Sequence, residues 1–372
     1  MFLIFLSLPG YYACLAQDYF TFSGQFSTGF SLNSAKVPGA LLPSRYIPRL
    51  NYTVPGLNST DIELSVNGYA GAVYQNTRTP EYTAKIKPYR IWLRYSGEQY
   101  EIRAGLQKIN FGSASMLRPL MWFDKIDPRD PLQLTDGVWG LLTRYYFIDN
   151  TNVWLWGLYG NSELKTWEFI KTLRSTPEFG GRIQSPLLNG EAAITYHFRK
   201  TDLTTAPLLI STKNKSSEHR IGIDGKWDYE AGIWIESAFI FRDAEMGILR
   251  NQELITAGLD YTIGLGNGLN ISAEHLLSTA GEKPAQFSNK TDLTALSFSY
   301  PISISDQITF ISYYDWKRNN SYNFLNWQLI WDNTSLSVMA FSNPAEAPLP
   351  QQSGNTTSFS GAGFQLLYIY NH

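Results

Sequence analysis

The residues best placed to do chemistry are charged side chains in one long segment, residues 110 to 136, between two predicted strands. They are Arg118, Asp124, Asp127, Arg129 and Asp130. Acidic and basic groups that face each other across a narrow passage set up a transverse field, which sorts solutes by charge and dipole. A connection usually has about 2 to 6 residues, so a segment this long needs its own space in the fold. These residue types therefore predict a charge-dependent constriction.

More charged side chains fall on the polar face of the strands that flank this segment. They are Arg90, Arg94, Glu101, Arg103 and Arg144. If that face lines a lumen, the basic groups of the wall would lie opposite the aspartates of the segment. Two alternatives remain open, because strand alternation alone does not give geometry. The segment would then be anchored to the wall by salt bridges, or it would cap the fold from outside.

The histidines, glycines and single cysteine do not form a catalytic or metal-binding pattern. His197, His219 and His275 lie on different predicted strands without the ligand spacing of zinc motifs. The Gly264, Gly266 and Gly268 cluster precedes alternating strand residues, whereas a phosphate-binding loop precedes a helix. We therefore expect no catalytic residue, no metal and no cofactor, and a protein that is not an enzyme.

The N-terminal residues 1 to 16 are almost entirely apolar and end at Ala16, just before two polar residues. This pattern predicts a signal peptide and export. Lipidation at Cys14 is the alternative reading of the same segment. Since Cys14 is the only cysteine, the mature chain from residue 17 would have no disulfide and no thiolate metal site.

The rest of the chain contains no run of about 18 to 20 apolar residues, the length that a membrane-spanning helix needs. Charged residues make up 17% of the chain, hydrophobic residues 44%, and the net charge is -2. Lipid satisfies no backbone polar group, so a membrane protein without spanning helices must be a closed barrel.

Alternation of apolar and polar residues supports a barrel. It recurs in segments of about ten residues, for example 98 to 107, 190 to 200 and 231 to 242, as in membrane-spanning strands. Short turns at one end alternate with long connections at the other, which predicts about eighteen strands. Sixteen is the alternative, if the short connections at 243 to 250 and 318 to 321 are not real. The expected fold is all-β, a transmembrane antiparallel up-and-down β-barrel formed by residues 17 to 372 as one domain in a bacterial outer membrane.

The same alternation assigns side chains to lipid. The predicted lipid-facing residues are Tyr100, Ile102, Leu106, Tyr196, Phe198, Ile233, Phe239, Phe241 and Trp327. Most tryptophans lie near strand ends or on this face, which is typical of interfacial aromatic girdles. A carbohydrate-stacking track inside the lumen is the alternative for Trp92, Trp154 and Trp234.

Residues 103 to 112, RAGLQKINFG, resemble the Arg-x-Gly-x-Gln strand end of Gram-negative porin-like families, including the alginate-export type. The continuation MWFDKIDPRDPLQL, residues 121 to 134, strengthens the likeness. The resemblance covers about thirty residues and implies a barrel that carries small polar solutes.

We therefore expect an outer-membrane channel for diffusion of small polar solutes, with residues 110 to 136 as its constriction. The alternative is an occluded barrel that acts as the membrane partner of a secretion, surface-display or assembly complex. The expected partners are outer-membrane lipid and lipopolysaccharide, small solutes and, for the alternative, other outer-membrane proteins or lipoproteins. Nucleic acid is not expected. A lipid-modifying enzyme is a third class, for which only His275 shares the lipid-facing parity.

Overall fold

The structure is a computed structural model that describes residues 19–34, 39–57, 59–75, 79–205, 213–286, 290–345, 349 and 359–372. The predicted signal peptide, residues 1 to 16, lies outside these ranges. Eighteen antiparallel strands pair in chain order, and the first pairs with the last. The strands are β1 (Phe20–Asn33), β2 (Gly39–Thr53), β3 (Thr60–Gln75), β4 (Glu81–Ser96), β5 (Tyr100–Gln107), β6 (Val138–Tyr146), β7 (Asn152–Leu158), β8 (Glu178–Leu187), β9 (Gly190–Asp202), β10 (Lys215–Asp228), β11 (Gly232–Arg242), β12 (Asn251–Ile263), β13 (Leu269–Gly281), β14 (Thr291–Pro301), β15 (Asp306–Asp315), β16 (Asn320–Ile330), β17 (Thr334–Ser342) and β18 (Ala362–Asn371). Two 3-10 helices, Leu203–Thr205 and Gly247–Leu249, lie in connections.

The barrel closes between β1 and β18. The Gly24 N–H donates to the His372 carbonyl at 2.9 Å, and the His372 N–H donates back to the Gly24 carbonyl at 3.0 Å. Closure pairs the backbone groups that an open sheet would leave facing lipid, where an unsatisfied group costs several kcal/mol. The predicted antiparallel β-barrel is confirmed.

The strand count is eighteen, not sixteen, because both doubtful hairpins are real. β11 pairs with β12 along its length across the connection 243–250. β15 pairs with β16 across the connection 316–319. Short turns occupy one end of the barrel, including 97–99, 188–189 and 331–333, and the long connections 108–137 and 159–177 start from the other. In bacterial barrels the short turns are periplasmic, so the long connections are on the outer side.

The outer face is apolar, as the alternation predicts. On β9, Ile194 is exposed while Thr195 and Arg199 point inward and are buried. The predicted lipid-facing residues are exposed or half-buried, except Leu106, which is buried. The register pairs Leu106 with Ile91 on β4 and with the exposed Trp139 on β6, so the alternation continues through Gly105 although Leu106 itself is 6% exposed. Within the described ranges, no helix has the length and apolar character needed to cross a membrane.

Candidate constriction inside the barrel

Residues 108–137, which we call the inner loop, connect β5 to β6 and fold into the barrel. Leu117 and Leu120 on this loop are 0% and 2% exposed. They belong to one apolar cluster with Leu254 on β12 and Leu276 on β13, which point inward from the wall. The inner loop therefore lies within the lumen rather than above it as an external cap.

Glu274 on β13 holds the inner loop through the backbone. Its carboxylate accepts the N–H groups of Ser115 at 2.6 Å, Met116 at 3.0 Å and Leu117 at 2.5 Å. The Trp234 indole N–H donates to the same carboxylate at 3.1 Å. A buried carboxylate must be paired or hydrogen-bonded, and these donors satisfy it while giving the loop a fixed position.

Glu236 on β11 forms a second anchor beside the first. It accepts the N–H groups of Ala114 at 2.9 Å and Leu120 at 2.6 Å. Gly112 passes so close that a Cβ there would lie 2.3 Å from Glu236 Oε2, and its φ is +103°. Only glycine adopts this backbone without strain, so Gly112 allows the loop to approach the wall.

A second inward loop, residues 159–177 between β7 and β8, is held by ion pairs. Glu168 lies 2.6 Å from Arg220 and 2.9 Å from Arg199, on β10 and β9. Burial raises the pKa of Glu168, but the two guanidinium groups outweigh it and leave the pKa below its ordinary value of 4.5. Glu218 extends the network, at 2.5 Å from Arg199 and 2.6 Å from Arg242.

The two loops are also joined to each other. The Trp167 indole N–H donates to the Arg118 carbonyl of the inner loop at 2.7 Å. Gln252 on β12 donates to the Trp167 carbonyl at 3.2 Å. Together, the loops cover the inner face of β9 to β13.

The predicted charged residues of the inner loop pair mainly with one another. Arg118 lies 3.3 Å from Asp124, and burial raises the pKa of Asp124 although Arg118 opposes the effect. Arg129 lies 2.5 Å from Asp127, only two residues away. Asp130 accepts the backbone N–H of Leu132 at 2.9 Å.

The predicted wall arginines gather around an acidic residue of the wall instead. Glu101 lies 3.1 Å from Arg103, 3.4 Å from Arg144 and 3.9 Å from Arg94. Arg94 also pairs with Asp61 at 2.7 Å. This group lies toward the periplasmic end of the barrel. Glu101 is at the start of β5, Arg94 is near the end of β4, and Arg144 is near the end of β6.

Of the four predicted wall arginines, Arg90 is the one with a hydrogen bond to the inner loop. It donates to the Thr135 carbonyl at 2.9 Å. Within the ranges that the structure describes, no ion pair joins Asp124, Asp127 or Asp130 to Arg90, Arg94, Arg103 or Arg144. The reason is geometric, because the loop is anchored on the β11 to β13 side and the arginine group lies lower on the opposite side.

The three tryptophans of the alternative carbohydrate track already contact protein groups, either through the ring face or through the indole N–H. The Arg103 guanidinium lies 4.7 Å from the Trp92 ring centroid, and that of Arg144 lies 4.0 Å from Trp154. Trp234 is buried beside Glu274. Other tryptophans, such as Trp139 and Trp327, are exposed on the outer face.

Space remains beside the tip of the inner loop, residues 128–130. A cavity of about 380 Å³ lies between this tip and β1 to β3, with Ser27, Arg45 and Tyr69 on the wall side. A second cavity of about 240 Å³ lies between the same tip and β15 to β17. The tip therefore has space on two sides.

Sequence reasoning missed the residues that fix the loops, namely Glu236, Glu274 and Glu168. The available signal was an inward-facing carboxylate among apolar residues on a strand, as in IWIESAF at 233–239. Such a carboxylate must find donors in the lumen.

Comparison with known proteins shows likeness in structure but not in sequence. No family model matches the chain, and no curated protein is significantly similar to it. Pseudomonas aeruginosa OccK5 (OpdH) is 11% identical with a TM-score of 0.56, covering 95% of this chain and 98% of that one. Acinetobacter baumannii OccAB4 is 7% identical with a TM-score of 0.56, over 95% and 98%. Pseudomonas aeruginosa OccK7 (OpdD) is 9% identical with a TM-score of 0.54, over 95% and 99%.

These likenesses and the closed eighteen-stranded sheet define the class of the fold, a porin-like outer-membrane β-barrel. The apolar outer surface and the asymmetric connections agree with that class. The chain is located in the bacterial outer membrane.

Proposed function

We propose that this protein is an outer-membrane channel through which small polar solutes diffuse, and that the inner loop is its constriction. The observation that carries the proposal is the anchoring of the inner loop inside the lumen by Glu274 and Glu236. A loop fixed in this way reduces the cross-section of a barrel whose eighteen strands would otherwise leave a wide aqueous pore.

Charge at the loop tip supports selectivity in this channel. Asp127, Arg129 and Asp130 line the cavity of about 380 Å³ together with Lys125 and the wall residue Arg45. Below it, the arginines around Glu101 form a second charged zone. Solutes would pass both groups in series, and charges in a confined lumen are screened less than surface charges.

The alternative function is an occluded barrel that serves as a scaffold for other outer-membrane proteins or lipoproteins. One observation favours it, the continuous apolar cluster that the inner loop forms with the wall from Trp156 to Phe341. A fully plugged lumen would look similar on that side. The space on both sides of residues 128–130 favours the channel.

The resemblance to the alginate-export type is explained by structural roles. Gln107 donates to the carbonyls of Arg103 and Gly140, at 3.0 and 3.1 Å, where β5 leads into the inner loop. Gly105 and Gly112 both have positive φ. These residues shape the start of an inward loop whatever the solute, so we propose no alginate specificity. We also propose that residues 1 to 16 direct export and that lipid and lipopolysaccharide cover the outer face.

Single-channel recording in planar bilayers tests the proposal. The purified barrel should give stable, stepwise KCl conductance. A folded barrel that never conducts and copurifies with other outer-membrane proteins would support the scaffold and overturn the channel.

A further inference from the structure

Six adjacent strands of the barrel, β14 to β18 and β1, are almost without charge. Their only charged residues are Asp292, Asp306 and Asp315, each at or next to a strand end. By contrast, every strand from β2 to β13 except β7 carries at least one charged residue. We call the inward face of these six strands the neutral wall.

The neutral wall carries a row of uncharged side chains at one level, in which four of the five have an amide or a hydroxyl group and the fifth is Met339. Strand register places Thr309 opposite Asn326, Asn326 opposite Met339, Met339 opposite Gln365, and Gln365 opposite Ser31. Thr309 and Asn326 line the cavity of about 240 Å³, and Gln365 and Ser31 line the one of about 380 Å³. The row therefore runs behind both spaces beside the loop tip.

Several polar atoms of this wall have no protein partner. Asn326 Oδ1, Gln365 Oε1, Ser31 Oγ and Ser337 Oγ are buried and make no hydrogen bond within the part of the chain that the structure describes. Ser31 and Ser337 are only 3% and 1% exposed. Buried polar groups are almost always hydrogen-bonded, and Asn326, Gln365 and Ser31 line the two cavities, so these three are suited to a polar ligand there.

The loop tip supplies the opposite side of both spaces, but the cations differ between them. Arg45 and Lys125 also line the cavity of about 380 Å³, whereas Arg129 is the cation in the described lining of the one of about 240 Å³. Pro128, Arg129 and Asp130 line both cavities. The Arg129 guanidinium is paired with Asp127 and lies 5.0 Å from the Phe324 ring centroid. Asp130 adds a carboxylate, which accepts hydrogen bonds from hydroxyl groups.

We propose that the neutral wall and the loop tip form a binding site for small uncharged polyols, a proposal that rests on the channel function above. Each hydroxyl of a polyol both donates and accepts, and so do the amide and hydroxyl groups of the wall. A site built to hydrogen-bond hydroxyls discriminates strongly against ligands that leave its buried polar groups unpaired. At the cavity of about 240 Å³, an anionic solute would lose hydration and meet no cation except Arg129, which is already paired with Asp127.

Sorbitol and gluconate are a matched pair of probes, because they share a six-carbon polyol chain and differ by one carboxylate. Flux into liposomes that contain the purified barrel is measured as solute concentration is raised. Sorbitol flux should saturate, as expected for a binding site, and gluconate flux should stay lower and linear.

The test variant is Asn326→Leu with Gln365→Leu, which removes two polar partners at similar volume. Its sorbitol flux at low concentration should fall at least about five-fold, since each hydrogen bond contributes roughly a two- to ten-fold factor. Ser31→Ala is a milder variant that removes one hydroxyl of the site, and it should show a smaller fall in the same direction. Leu325→Met, on the lipid side of β16, is the control.

The outcomes separate the two proposals. A wild-type barrel without KCl steps or solute flux would overturn the channel itself. A conducting barrel in which sorbitol flux is linear, or in which both variants reduce sorbitol and gluconate equally or not at all, would overturn the polyol site and leave the channel intact.

Discussion

Leu117 and Glu274 meet inside the barrel, where the backbone N–H of Leu117 donates to the Glu274 carboxylate at 2.5 Å. The two residues are 157 positions apart in the chain. This contact and its neighbours at Ser115 and Met116 hold a segment of loop backbone against a strand wall. In the proposed channel, the width of the passage would therefore depend on a carboxylate that lies away from the loop tip.

Replacing Glu274 should loosen the inner loop. In Glu274→Gln, the amide nitrogen can only donate, so several loop N–H groups lose a charged acceptor, each worth about 1.5 to 3 kcal/mol. We expect higher single-channel conductance and more open-channel noise than in wild type. Glu98→Gln, at an exposed turn residue, is the control. Equal conductance and noise in all three proteins would show that Glu274 does not fix the loop.

Neighbouring positions on β16 test which face meets lipid. Leu325 is exposed on the outer face, and Asn326 points inward. Leu325→Arg should destabilise the barrel by about 2 to 4 kcal/mol near mid-bilayer, whereas Asn326→Arg should fold. Urea unfolding in lipid vesicles measures the difference. Equal stability of the two variants would contradict the assignment of faces.

Neutralising the loop aspartates should change ion selectivity. In the triple variant Asp124→Asn, Asp127→Asn and Asp130→Asn, Arg118 and Arg129 lose their acidic partners, so the reversal potential in a KCl gradient should shift toward anion selectivity. Neutralising Arg94, Arg103 and Arg144 to Gln should shift it toward cations. The shift should persist at moderate ionic strength, because screening over about 8 Å acts mainly on exposed charges. If neither variant shifts the reversal potential, these residues do not filter ions.

Acidification should release the second inward loop. The folded-state pKa of Glu168 is lowered, so its contribution to stability is present above the ordinary value of 4.5 and is lost as pH falls through the folded value. We expect wild type to exceed Glu168→Gln in free energy of unfolding by about 1.5 to 3 kcal/mol at pH 7. The difference should shrink below pH 4.5. A difference that is constant with pH would contradict the assigned ion pairs.

The sequence predicted the strands better than the contacts between loops and wall. Alternation along β9 and β11 identifies the lipid face because side chains in a strand alternate strictly. It does not predict that Leu106 is buried, although Leu106 is paired with the exposed Trp139. The length and charges of residues 110 to 136 predicted a constriction, with a loop anchored to the wall and an external cap as alternatives, and the structure places the loop inside the barrel.

The partners of the charged residues could not be predicted in the same way. Asp127 pairs with Arg129 because a partner two residues away needs no long-range closure. Glu236 and Glu274 accept hydrogen bonds from the loop backbone because the curved barrel brings β11 and β13 close to the loop. The alternation of apolar and polar residues does not predict that curvature. The sequence shows that the strands of the neutral wall are uncharged. Only the closed barrel shows that β1 lies beside β18 and belongs to the same wall.

The central claim is that solutes pass beside the tip of the inner loop, and modification of a single cysteine tests it most directly. Cys14 is the only cysteine, so Asp130→Cys in a Cys14→Ser background offers one thiol, and Leu325→Cys on the lipid side is the control. Single-channel current is recorded before and after addition of a bulky, positively charged methanethiosulfonate. We predict a lasting stepwise fall in current for Asp130→Cys and none for Leu325→Cys. Complete modification of Asp130→Cys, shown by mass spectrometry, with unchanged current would contradict the account.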